Sequence, residues 1–490
     1  MIESLSTLFS SGWLSAAFAF IAVASTVVII IVILSENRNP VKSLAWVTVL
    51  LLLPVVGLIL YIFFGRNIKN TRMISRRNRR RLRAHEKRVQ VDLKQEPINR
   101  QSILQINLGK SLTGAQYYVG NEVEVFTDGR SKFDALIEDI KAARHSVNLQ
   151  YYIFEDDKIG GEIANLLIEK ARQGVKVRVI YDHVGSWHVK NKFFKRMREE
   201  GIEAHPFFKV SFPQLGTRIN WRNHRKICII DRQVGYIGGM NIADRYIDGG
   251  KKFDLWRDTH VRVKGPIVDA LQYSFAVDWN FMGGGLIEDE LDNLPVHTAH
   301  ANAERTVGNV GVQMLTSGPT SQWSNIALSF QKAIATAARR VYIQTPYFLP
   351  TEGLLKALQA AALAHVDVRV MIPDRSDSRM LTHASDSYIS ECMRAGIKFY
   401  RYKAGMLHSK MLLVDDEFVS IGSTNFDFRS FDYNFEANLF FFSKELSEQM
   451  LEVFRNDLKQ SERITPAKWR RRRLSHRIAE SVLRLLSPVL

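Results

Sequence analysis

The sequence predicts an α/β protein: two α/β sandwich repeats related by a pseudo-twofold axis, preceded by a two-helix transmembrane hairpin. Three observations carry that prediction. "HRKICIIDRQVGYIGGMNIAD" from His224 recurs as "HSKMLLVDDEFVSIGSTNFD" from His408, with His, Lys, Asp, Gly and Asn at the same offsets. The blocks upstream of each motif also match, so the repeated unit is a domain rather than a short motif. Two long charge-free stretches lie within the first 65 residues.

With 490 residues, 46% hydrophobic and 24% charged, the chain has material for more than one domain and does not have a disordered composition. Residues 1–65 are expected to form the hairpin, because neither Trp13–Leu34 nor Leu44–Phe64 contains a charge. At about 1.5 Å per residue, each could cross the roughly 30 Å hydrocarbon layer. The long apolar run and the close second span argue against a signal peptide. Pro54 falls inside the second span and requires a local backbone adjustment there.

Residues 66–109 read as a basic juxtamembrane linker, with eleven Lys or Arg against one acid between 66 and 88. The positive-inside rule places this stretch on the cytoplasmic side, while Arg38 and Lys42 in the connecting loop pull mildly the other way. At the other end, residues 461–490 read as a basic amphipathic tail. Leu474, Ile478, Val482, Leu485 and Leu486 recur near helical spacing beside arginines, as in an interfacial helix. The basic stretches 66–88 and 468–484 carry sixteen of the formal +17 charges, leaving the middle close to neutral. Charge that flanks an anchor, instead of lining a groove, points to anionic lipid headgroups and the membrane as partners and away from nucleic acid. No feature specifies an oligomeric state.

The first repeat is assigned to 110–300 and the second to 301–460. "TDGRSKFDALIEDIKAARHSVNLQYYIF" from Thr127 parallels "TSGPTSQWSNIALSFQKAIATAARRVYIQTPYFLP" from Thr316, and "GVKVRVIYD" from Gly174 parallels "HVDVRVMIPD" from His365. Helices thus alternate with short apolar strands, the pattern of a layered α/β unit. "KICIID" and "KMLLVD" are apolar apart from their ends, as in strands buried on both faces. The Gly residues after them would let backbone amides approach an anion. Cys228 and Cys392 lack ligand spacing and read as packed thiols.

His and Lys two residues apart share one face of an extended segment, so they can reach one ligand together. If the halves meet, His224, Lys226, His408 and Lys410 form a pocket of two imidazoles and two ammonium groups suited to a phosphodiester. The ammonium groups, with Asn241 and Asn425, would stabilise the non-bridging oxygens. One neutral imidazole would attack phosphorus and the other, protonated, would give its proton to the leaving oxygen. That chemistry calls for no cofactor or metal. The internal symmetry leaves open which His attacks.

These motifs, H-x-K-x4-D followed by G-[GS]-x-N in both copies, resemble the phospholipase D superfamily. Together with the hairpin, "WRDTHVRVKGPIVDALQYSFAVDWNF", "TPYFLP" and "FRSFDYNFEANL", they look like the bacterial cardiolipin synthases over essentially the whole chain. The resemblance implies a multi-pass enzyme of the bacterial inner membrane. It would join two phosphatidylglycerol molecules into cardiolipin and glycerol through a phosphohistidine, without a metal. It also implies that His224 is the nucleophile, that His408 is the general acid and then base, and that Asp258 and Glu436 are the acidic partners orienting the rings. Asp231 and Asp415 belong to the catalytic signature, although their strand-end position favours a structural contact. Another phosphatidyltransferase, or a hydrolase admitting water, would use the same residues.

Overall fold

The computed structural model describes residues 12–35, 40–61, 65, 69, 72–84, 91–93, 95–210, 220–287 and 306–487. The chain divides into two compact units, residues 1–68 with 210–220, and residues 69–209 with 221–490. In the first unit, Gly12–Ser35 is one helix. The second predicted span is divided into Pro40–Leu52 and Pro54–Leu60. Proline has no N–H to continue the ladder, and Leu53 leaves helical geometry at φ −135° and ψ 68°. Of the described residues, no helix is long and apolar enough to cross a membrane. Arg38, Phe64, several residues of the basic stretch (66–68, 70–71, 85–88) and the junction between the repeats at 300/301 lie outside the described residues.

In the second unit, the first half supplies β1 (Tyr117–Phe126), β2 (Ser146–Tyr151), β3 (Lys176–Asp182), β4 (Glu203–Phe207), β5 (Ile227–Ile230), β6 (Val234–Gly238), β7 (Trp256–Arg257) and β8 (His260–Lys264). The second half supplies β9 (Thr306–Ser317), β10 (Arg340–Gln344), β11 (Phe348–Leu349), β12 (Asp367–Pro373), β13 (Lys398–Tyr402), β14 (Met406–Leu407), β15 (Met411–Val414), β16 (Phe418–Gly422), β17 (Phe426–Asp427), β18 (Glu436–Phe442) and β19 (Ser461–Arg463). Fifteen of these form one sheet, β4-β3-β2-β5-β6-β8-β1-β9-β18-β16-β15-β10-β12-β13-β19. Apart from the added edge strand β19, the order reads the same from either end, which is the expected pseudo-twofold. The halves are nevertheless not separate sandwiches. β1 and β9 pair antiparallel at the centre, so each half covers the sheet edge that the other would expose.

The motif strands are buried on both faces, as their apolar runs predict. Leu412 and Val414 of β15 enter a core with Phe330, Leu358 and Ile389 from the helices Asn325–Ala335, Glu352–Leu363 and Arg379–Arg394. Met411 and Leu413 point to the opposite face, where Phe275 of Val268–Phe281 and Phe454 of Lys444–Lys459 sit in a core shared by both halves. In the first half, Phe133, Ile163 and Phe193 cover the equivalent outer face. Burying each such side chain contributes about 1.5–3 kcal/mol. Cys228 and Cys392 are buried free thiols, as expected.

Two terminal segments dock on this body. In the basic stretch, Arg76–Ala84 is a helix with Leu82 buried, and Ile74 just before it is buried too. Leu474–Leu486 is helical as predicted, with Glu480 turned inward to Arg472 and Arg484 paired with Glu391. Its Leu474, Ile478, Val482, Leu485 and Leu486 are exposed.

Candidate active site

The two motif histidines meet where the halves are stitched together by backbone. The amide of His224 donates to Phe435 O at 2.9 Å, and that of Phe435 donates to Arg222 O at 2.8 Å. On the symmetry-related side, β14 pairs parallel with β7, and His408 N donates to Arg257 O at 2.7 Å. Phe435 and Arg257 immediately precede Glu436 and Asp258. Each histidine is therefore delivered beside the carboxylate of the other half. His224 Nδ1 lies 2.9 Å from Glu436 Oε1, and His408 Nδ1 lies 2.6 Å from Asp258 Oδ2. A carboxylate that accepts the Nδ1 proton leaves Nε2 available for chemistry.

Both rings line one cavity of about 230 Å³, together with Arg222, Asn241, Asn425 and Arg429. Tyr152 packs edge-on to His224 at 5.0 Å between ring centroids, and Trp256 lies 5.3 Å from His408. Asn241 is fixed by Tyr246 and by the amide of Ile153, whereas Asn425 Oδ1 has no hydrogen-bond partner among the described residues.

Burial lowers the pKa of His224, opposed by Glu436. Burial, reinforced by Lys410, also pushes His408 down. Both rings are thus biased toward the neutral form. Burial works to raise both carboxylates, but Lys410 and His408 hold Asp258 below the usual range, and His224 and Lys226 do the same for Glu436. Lys226 and Lys410 are themselves driven down by burial. Neither lysine lines the cavity: each ammonium donates back to the carbonyl of its own motif histidine.

Asp231 and Asp415 stand away from the cavity. Asp231 accepts from the amides of Arg144, His145 and Ser146, each at 2.8 Å. Asp415 accepts from Ala338, Arg339 and Arg340 at 2.9, 2.7 and 3.0 Å. Each carboxylate thus closes the turn leading into β2 or β10, which is a structural contact.

The glycine expectation needs correction. The Gly239 amide donates to Thr259 O, so it is not free for an anion. A Cβ there would lie 2.0 Å from Asp258 Oδ1, and one on Gly422 would lie 2.3 Å from Ala437 O. These positions are glycine because the acid-bearing strand runs against them.

Sequence reasoning passed over several residues that line the cavity. Arg245 and Arg429 stand four residues after Asn241 and Asn425, a shared offset that marks them. Arg222 has no such signal, since Met406 occupies the equivalent place.

The fold and the paired histidines define a protein of the phospholipase D class. The fold is shared with the crystal structure of phosphatidylserine synthase from Haemophilus influenzae Rd KW20, at a TM-score of 0.58 and 13% identity, covering 79% of this chain and all of that one. Residues 136–279 and 330–458 match the family described as cardiolipin synthase, PLD-like domain, and residues 23–66 match the phospholipase D-nuclease N-terminal family. The chain is 40% identical to the major cardiolipin synthase ClsA of Bacillus subtilis (strain 168), across 94% of this chain and 96% of that protein. It is 38% identical to cardiolipin synthase 2 of Bacillus anthracis, across 94% and 89%. The chain belongs to the cardiolipin synthase family and is a phosphatidyltransferase.

Proposed function

We propose that the enzyme moves a phosphatidyl group from one phosphatidylglycerol to the headgroup hydroxyl of a second, giving cardiolipin and glycerol. His224 Nε2 attacks phosphorus while His408 Nε2 gives its proton to the departing glycerol oxygen, leaving a phosphatidyl-His224 intermediate. The second phosphatidylglycerol then loses its hydroxyl proton to His408, its oxygen bonds to phosphorus, and the P–N bond breaks. The phosphodiester anion itself favours protonated His408, offsetting the burial that biases this ring toward the neutral form. Asn241 and Asn425, with Lys226 and Lys410 behind the histidines and Arg222, Arg245 and Arg429 on the wall, supply donors and positive charge for the phosphate oxygens. Asp231 and Asp415 belong to the signature as turn fasteners rather than reacting groups.

The observation that carries this reading is the convergence of His224 and His408 on one cavity, each braced by the opposite half's carboxylate. The choice of acceptor rests on the relatives, which are named cardiolipin synthases along nearly the whole chain. Residues 110–300 and 301–460 are proposed as the units of the duplication. Ahead of them, 13–34 and 44–64 are proposed as a hairpin in the bacterial cell membrane, with the catalytic body on the cytoplasmic side. The outward apolar side chains of Phe20, Val28, Ile31, Leu44 and Leu52 support that placement, as do those of the C-terminal helix for contact with anionic lipid.

The test is to incubate purified full-length protein, in vesicles of labelled phosphatidylglycerol alone, with a chelator present. Cardiolipin and free glycerol in equal amounts are expected. Phosphatidic acid as the main product would contradict transfer and indicate hydrolysis.

A further inference from the structure

A second cavity, of about 470 Å³, is larger than the one that holds the histidines. It lies on the other side of the motif segment. In an extended chain successive side chains point to opposite sides. Arg222 and His224 line the catalytic cavity, and Arg225 lines the second; Asn434 lines the catalytic cavity, and Phe435 the second. The two cavities thus share walls without sharing these side chains.

The second cavity is strongly positive. Arg72, Arg79, Arg83 and Arg225 line it, against, among the described residues, the single carboxylate of Asp278. That carboxylate is already engaged, because its Oδ2 accepts from Arg225, Asn223 and Gln150. Arg83 is held in place by Tyr273 OH at 3.3 Å and Thr113 O at 2.9 Å. Arg72 and Arg79 are exposed, and their side chains make no hydrogen bond or ion pair with any described residue. Two guanidinium groups are therefore left at an opening whose other cations are anchored.

An independent observation comes from the buried part of the wall. Ser274 and Ser317, 6% and 2% exposed, line this cavity, and neither hydroxyl has a hydrogen-bond partner among the described residues. An unmade hydrogen bond on a buried polar group is costly, so such groups generally mark a missing partner. Hydroxyl donors with a cluster of arginines suit the tetrahedral oxygens of a phosphate, which guanidinium groups engage through paired hydrogen bonds.

The geometry points to a second phosphate-binding site, separate from the catalytic cavity, that takes a phosphate group held by Arg72, Arg79 and the hydroxyls of Ser274 and Ser317. The phosphate could be the headgroup of an anionic glycerophospholipid or a free phosphate ion, and the experiment separates the two. Full-length protein in non-ionic detergent is dialysed to equilibrium against labelled orthophosphate, and separately equilibrated with mixed micelles carrying labelled phosphatidic acid. Wild type is compared with Arg72→Gln/Arg79→Gln, whose exposed positions leave the fold intact, and with Ser317→Ala.

Wild type is expected to bind one more equivalent than the double variant. The lost site should weaken about tenfold for each arginine removed, as for a charge-assisted hydrogen bond, with a smaller loss in Ser317→Ala. A difference seen with orthophosphate identifies free phosphate as a sufficient ligand. A difference seen only with phosphatidic acid identifies a lipid headgroup when Ser317→Ala shares it, and overturns the site when Ser317→Ala binds like wild type, since surface attraction alone then accounts for the loss. Equal binding by wild type and the double variant with both probes would overturn the site. Because the readout is binding, it stands or falls independently of the transfer assay.

Discussion

His224 takes its carboxylate from Glu436 and His408 takes its own from Asp258, residues 212 and 150 positions away in the chain. The histidines, lysines and asparagines are legible in the sequence because they recur at fixed offsets, and the same test marks Arg245 and Arg429. The crossed pairing is not legible, because it depends on which strand ends the tertiary fold brings together. It has a pH consequence. Burial takes the His224 pKa below the ordinary imidazole value, and Glu436 opposes that shift. As the proposed nucleophile, His224 must be neutral, so the acid limb of the kcat/KM profile should fall below the ordinary imidazole range near pH 6.5, with activity lost as pH drops through it. Glu436→Gln removes the charge that favours the protonated ring, so the limb should move to still lower pH. Turnover should fall by about 10²–10⁴-fold as the ring loses its orientation. A limb that moves upward would show that Glu436 acts on His224 in some other way.

At the level of elements, the apolar motif strands and the tail helix follow directly from residue pattern. Two features do not. The break at Leu53–Pro54 is a proline effect whose outcome depends on whether neighbouring groups restore the ladder. The single continuous sheet depends on pairing between β1 and β9, which the similarity of the repeats does not specify. Glycines likewise look alike in sequence and differ in consequence. A Cβ at Gly239 meets the Asp258 carboxylate at 2.0 Å, while one at Gly161, inside Lys158–Arg172, meets nothing within 4 Å. Gly239→Ala should therefore displace the group that orients His408, lowering turnover at least about tenfold and costing about 1–3 kcal/mol of stability. Gly161→Ala should instead gain about 0.5–1 kcal/mol with turnover unchanged. Denaturant midpoints and initial rates on the two variants check both; equal effects would contradict the packing role assigned to Gly239.

For the whole molecule, the near-neutral middle and basic ends fit the proposed division between catalysis and attachment. Removing residues 1–65 should leave a folded body, because the sheet and its cores lie within the unit formed by 69–209 and 221–490. The cut must stay ahead of Ile74 and Leu82, which are buried. The remaining basic residues contribute about 1 kcal/mol each near an anionic surface, and screening shortens their reach from about 10 Å at 0.1 M salt to about 3 Å at 1 M. Sedimentation with anionic vesicles should show binding at low salt and release at high salt; binding that ignores salt would point to insertion of the tail instead. The most direct test of the central claim, one site assembled from both halves with His224 as nucleophile, is covalent trapping. His408→Ala and His224→Ala are each given a phosphatidyl ester of nitrophenol, whose leaving group needs little help from an acid, and the quenched proteins are mapped by mass spectrometry. The account predicts a phosphatidyl adduct on His224 in the His408→Ala protein and none in the His224→Ala protein. An adduct on His408 in the His224→Ala protein, with His408→Ala unlabelled, would contradict it.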